Sequence, residues 1–247
     1  MEDYDNAYDP LLGNEKEEDK SIEEQIKSDL REGFIAKVFG ILAYQMVLLF
    51  LVVLLGFASD TFRHLLLTST GLEVIAIIIS ISCLVIPIIY PNLFRQVPTN
   101  YILLTIFTLS YSYLIAAYTV QFTPSSVLLA LFLTTITVVC ISLYALYTKS
   151  DYTVIGGFLF TALTLLIICS LILIFFPIKI LYMIYLYFGL IIFCAYLLYD
   201  VQLLVGKGYR KFGEDDYILA AINIYLDIIG ISIRVLDIVG KKNNQKY

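Results

Sequence analysis

A single histidine, His64, stands in the whole chain, and it falls in a short polar stretch between two apolar ones. Ser/His or Cys/His catalysis and multi-histidine metal sites therefore lack material. Cysteine is equally sparse. Cys83, Cys140, Cys169 and Cys194 each lie in a different apolar stretch with no pairing or metal-like spacing, so they are expected to be buried, inert thiols. Charged residues make up only 15% of the chain, with no basic cluster interleaved with aromatics, and nucleic-acid binding is left without support. No basic-then-apolar leader opens the sequence, so the first apolar segment is expected to stay as an anchor.

What fills the chain is hydrocarbon. Apolar residues are 60% of 247, and the mean hydropathy is +0.87, the composition of a polytopic membrane protein. Stretches of about 20 apolar residues, enough for one helical crossing, recur at roughly 34–57, 72–90, 99–120, 125–147, 153–176, 179–205 and 217–239. The expected fold is an all-α polytopic membrane protein of seven transmembrane helices. Residues 1–33 are polar and acidic and are expected to be a mostly disordered cytosolic tail, with "SIEE" at 21–24 as a capping box for a short helix. Residues 34–239 form the membrane domain, and 240–247 a short basic tail. Most of the net charge of −5 belongs to the acidic head, a solvated tail rather than a sign of a basic partner.

Lys27, Arg31, Arg95, Lys149, Lys207, Arg210 and Lys211 fall on the side of the N-terminus, against Arg63 and Lys179 opposite. This bias predicts a cytosolic N-terminus. Lys241, Lys242 and Lys246 oppose it if the seventh segment crosses, so a fully crossing and a re-entrant last segment both remain open.

Two carboxylates sit at depth. Asp200 lies about 8 Å from the end of the sixth segment and Asp227 about 15 Å into the seventh, at 1.5 Å per helical residue. The connection "GKGYRKFGEDD" is short, so the two helices are expected to be antiparallel neighbours with both acids in the cytosolic half. Two carboxylates meeting in a poorly solvated place share a proton and titrate as one unit. Asn223 four residues before Asp227, and Gly230 and Arg234 after it, fall at helical steps from it and give the last segment one polar face, which must look into the bundle. Arg234 and Asp237 are expected to snorkel to the far interface or to pair with each other.

At these residues a resemblance becomes specific. "YLLYDVQLLVGKGYRKFGEDDYILAAINIYLDII" resembles the signature end of the transmembrane Bax inhibitor motif (lifeguard) family, with support from "REGFIAKVFGILAYQ" and "LTTITVVCISLYALYTKSDYTVIGGFLFTAL". The resemblance covers about residues 31–239. It implies a seven-helix fold with a central last helix, residence in endoplasmic reticulum, Golgi or related membranes, a pH-sensitive calcium leak from stores, and suppression of apoptosis. It assigns Asp200 and Asp227 as pH sensor and gate, and as transient calcium ligands, with Asn223, Tyr199, Tyr225, Gln202 and Arg234 as supporting polar groups. No cofactor is implied; calcium is the permeant ion, beside protons, membrane lipid and apoptosis regulators or calcium channels as partners. Val201 departs from the family's usual threonine, Tyr111 stands near where relatives carry a glutamate, and the second span holds no arginine.

Two other classes stay in view. A non-conducting adaptor would use the acids as structural proton sites. An intramembrane aspartyl protease would use them as acid and base, but "IYL" precedes Asp227 where such enzymes carry GxGD, so the chain is not expected to be an enzyme. Smaller signals are "YDPLLG" at 8–13, similar to an acidic dileucine sorting signal, the span-ending Tyr90, Tyr101, Tyr144 and Tyr147 as interfacial anchors, and Gly156 and Gly157 as a close-packing point.

Overall fold

A computed structural model describes residues 5–206, 208–213 and 215–243. Among the described residues eight α-helices follow in order: α1 Asp5–Ala58, α2 Asp60–Thr68, α3 Thr70–Ile89, α4 Thr99–Thr119, α5 Pro124–Tyr147, α6 Gly156–Phe175, α7 Lys179–Val205 and α8 Tyr217–Val239. Among the described residues seven helices, all but the short α2, are long and apolar enough to cross a membrane. The chain is an all-α integral membrane protein. Helix ends follow local chemistry: Pro124 opens α5, where its missing N–H costs nothing, and Gly206, at φ +72°, closes α7 in a left-handed conformation.

α2 is an element the apolar pattern does not announce. The Ser59 hydroxyl caps it by accepting from the Phe62 N–H, and Leu66 packs it against Ala116, Ala117 and Val120 of the α4 end. The head of the chain also differs from expectation. Residues 5–33, expected to be mostly disordered, continue α1 as helix, and "SIEE" opens nothing because the helix runs unbroken through Ser21. A span already helical removes the cost of nucleation, and glutamate and lysine propagate it, with Lys27 3.4 Å from Glu23 one turn away. The side chains of "YDPLLG" lie outside the described residues.

Exposure identifies the central element. The apolar window of α8 is 67% buried, against 11% for α6. α8 packs against α7, α5, α1 and α4, and Ala220, Ala221 and Gly230 keep parts of it narrow enough for close approach. The other spans turn residues such as Ile88, Phe158 and Phe175 outward, the pattern of helices whose outer faces meet acyl chains. Tyr90, Tyr101, Tyr144 and Tyr147 are exposed near helix ends, and a Cβ on Gly156 would lie 2.7 Å from the Tyr199 hydroxyl, whereas Gly157 faces open space. Of the cysteines, all free, only Cys83 is buried; Cys140 lies on the outer surface, because α5 shows that face to the exterior.

α8 runs parallel to α4 from end to end. At the near end Asn100 Nδ2 donates to the Tyr217 hydroxyl at 2.8 Å and Arg95 meets Asp216 at 2.8 Å. At the far end the Thr123 N–H donates to the Lys241 carbonyl at 3.0 Å and the Asn243 N–H to the Gln121 carbonyl at 2.7 Å. The last segment therefore traverses the whole bundle, and the re-entrant alternative is set aside. Lys241 and Lys242 emerge at the end opposite Arg31, which donates to the Phe212 carbonyl beside the start of α8.

Candidate functional site

The α7 stripe Gly189, Phe193, Tyr196 and Asp200 and the α8 stripe Asn223, Asp227, Gly230 and Arg234 have the same spacing, four, three and four residues, so each falls on one helical face. α7 and α8 pack together, and the two stripes, Gly189 excepted, line one cavity of about 480 Å³, completed by Tyr111 from α4 and Leu163 from α6. Asp200 and Asp227 are each 4% exposed, and their side chains line the same cavity and interact electrostatically with one another. The Oδ2 atom of Asp227 is buried with no hydrogen-bond partner. Burying such an oxygen unpaired is costly, so the arrangement calls for a proton, a cation or water there.

Arg234 departs from the expected placement. It neither snorkels nor pairs with Asp237. It is 8% exposed, with its guanidinium 4.3 Å from the centre of the Phe193 ring and Nη1 donating to the Gly230 carbonyl at 3.0 Å. Helical side chains lean toward the N-terminus of their helix, which carries the guanidinium into the cavity. Two glycines make room: a Cβ on Gly230 would lie 2.3 Å from Phe193, and one on Gly189 2.2 Å from the Arg234 Nε. Asp237 instead accepts from the Tyr118 hydroxyl of α4.

Of the other expected groups, Asn223 and Tyr199 line the cavity and Gln202 and Tyr225 do not. Each of these last two is two residues from an aspartate on its helix, nearly opposite on the wheel. Gln202 is buried and clamps the α5–α6 connection, accepting from the Tyr152 N–H at 2.7 Å and donating to the Ser150 carbonyl at 2.9 Å. Tyr225 is fully buried, edge-on to Phe107 and Tyr111. Tyr196 was missed, although it stands one turn before Asp200; it interacts electrostatically with both acids.

The family model described as inhibitor of apoptosis-promoting Bax1 matches residues 31–244. The chain belongs to the Bax inhibitor family. It is 36% identical to Protein LIFEGUARD 4 of Arabidopsis thaliana over 217 residues, 85% of each chain. It is 32% identical to the BI1-like protein of the same plant over 224 residues, 88% of this chain and 84% of that one. The Golgi anti-apoptotic protein of Vaccinia virus (strain Lister) is 30% identical over 216 residues, 87% of this chain and 88% of the viral protein.

In this Bax inhibitor family member the cavity gathers oxygen donors of three kinds: two carboxylates, the Asn223 amide and the hydroxyls of Tyr196 and Tyr199. Among the described residues no cluster of three or more His, Cys, Asp or Glu exists. A hard cation taking six to eight oxygens would complete its shell here with water, and Arg234, a fixed positive charge on the same wall, opposes its retention.

Proposed function

We propose that this protein is a pH-sensitive calcium leak pathway of intracellular membranes, endoplasmic reticulum or Golgi, that lowers store calcium and thereby restrains apoptosis. The observation that carries this reading is the meeting of Asp200 and Asp227 in one polar cavity beside the central helix. A pair holding one proton presents less charge to calcium than a pair holding none, so proton and calcium compete for the same oxygens. The state of the pair biases the packing of α8 on α7 and, through it, a closed-to-open equilibrium.

The N-terminus faces the cytosol in this reading. Lys27, Arg31, Arg95, Lys149, Arg210 and Lys211 gather at one end of the bundle, against Arg63, Lys179, Lys241 and Lys242 at the other, and short-loop basic residues are retained on the cytosolic side. The anti-apoptotic role is supported by the family description and by the name of the viral relative.

The decisive experiment reconstitutes the purified protein in liposomes and records calcium efflux against pH. Wild type is expected to leak in a pH-dependent manner, and Asp200→Asn/Asp227→Asn to lose that dependence. Efflux at the level of empty liposomes from both proteins would replace the leak with an adaptor that binds death regulators or calcium channels through its helices.

A further inference from the structure

Arg234 is the last residue of α8 to line the cavity, and the next turn brings Asp237, about 15 Å from Asp227 along the helix axis. From α4 to α8, charges within the helices are confined to this line, Lys179 at the start of α7 apart. α4, α5 and α6 contain no Asp, Glu, Lys or Arg, and α7 holds only Lys179 at its first residue besides Asp200. Asp200, Asp227, Arg234 and Asp237 thus fall in sequence from one end of the bundle to the other, with tyrosines of α4 and α7 accompanying them. Tyr111 is at the cavity, Tyr185 stands 5.5 Å from the Arg234 guanidinium, and Tyr118 and Tyr182 are at Asp237.

Asp237 is half-buried at the end where the α4–α5 connection and the C-terminal segment emerge. Its neighbour Arg234 leans away from it, stacked on Phe193, and leaves the carboxylate to hydroxyl groups. The Tyr118 hydroxyl donates to Oδ1, and Tyr182 of α7 stands near enough to interact electrostatically with the carboxylate. One acid therefore ties α4, α7 and α8 together at the point where a route through the cavity would leave the protein.

We infer that Asp237 is the second carboxylate station of the cation route, and that its hydrogen bond from Tyr118 is the gate that closes the far end. This rests on the leak reading above. A divalent cation passing the Asp200–Asp227 pair and the Arg234 constriction must exchange water for oxygens once more before release, and Asp237 with its two tyrosines supplies them. Multi-site passage of this kind lets an ion bind well enough to enter and weakly enough to leave. The tyrosine must release the carboxylate for the ion to use it, so the clasp opposes conduction.

Two conservative substitutions separate gate from station. Tyr118→Phe keeps the ring and removes the donor; losing one hydrogen bond to a charged acceptor is expected to raise calcium efflux from proteoliposomes about tenfold. Asp237→Asn keeps an acceptor for Tyr118 and removes the charge; it is expected to lower calcium efflux by about tenfold, with a smaller change for potassium. Tyr182→Phe gives a second, milder opening, and a thermal melt within a few degrees of wild type establishes that each variant is folded. Unchanged efflux in Tyr118→Phe and Asp237→Asn, from a protein whose leak the Asp200→Asn/Asp227→Asn variant still abolishes, overturns the far gate and leaves the leak reading standing. A wild type tight to calcium overturns both.

Discussion

The Arg234 guanidinium occupies the volume that a side chain at position 189 would need. With the Arg234 Nε 2.2 Å from an ideal Cβ there, only glycine lets the arginine lie flat against Phe193. Gly189→Ala is therefore expected to displace it and to lower stability by about 1–3 kcal/mol, the usual cost of overpacking. Thermal unfolding in detergent measures the loss. Adding Arg234→Met should restore part of it, because the two substitutions act on one contact.

Gln202 offers a test of a structural rather than a conducting residue. Its amide satisfies the Tyr152 N–H and the Ser150 carbonyl, and Gln202→Ala leaves both without their partner, at a cost of about 1–3 kcal/mol. The melting temperature should fall while the pH profile of any calcium efflux keeps its shape. A shifted profile with an unchanged melt would place Gln202 in the gate.

Asp151 gives the connection between α5 and α6 its own acid dependence. Hydrogen bonds from the Thr153 hydroxyl, the Tyr209 N–H and the Thr153 N–H hold its carboxyl below the usual carboxylate range. A group depressed in the folded state adds stability above its unfolded value, and that contribution disappears as pH falls through the folded one. Protection of the Thr153 and Tyr209 amides, taken against their intrinsic exchange rates, should fall as pH drops below about 4, and Asp151→Asn should show little protection throughout.

The termini should report from opposite faces of the membrane. The backbone bonds that tie Lys241 and Asn243 to the α4–α5 connection lie at the end remote from Arg31 and Phe212. Impermeant labelling of single cysteines at positions 20 and 243 in sealed vesicles is expected to modify one and spare the other. Labelling of both from one side would return the last helix to a re-entrant path.

Much of the architecture was legible because lipid imposes a length. Seven apolar stretches became seven helices, six of them with both ends within a few residues and the first with only its end so placed, and the two acids line one cavity because a short connection sets α7 and α8 side by side. What stayed hidden depended on a third helix. The wheel places Arg234 on the face of Asp227, but whether so long a side chain rises to the interface or folds back is decided by Gly189 and Phe193 of α7. Tyr118 and Asp237 are partners across more than a hundred residues of chain, and no spacing rule links them. Gln202 and Tyr225 were grouped with the aspartates by motif, although a step of two residues already turns them away.

The element that fills the middle of this bundle, α8, is made after the six other spans. Until α8 arrives, the earlier six spans enclose nothing, and Asp200 has no opposite number; a nascent chain stopped before Tyr217 would present a hollow ring with a solitary acid inside the bilayer. Assembly must therefore wait for α8, and the backbone bonds at Lys241 and Asn243 fasten it in its socket.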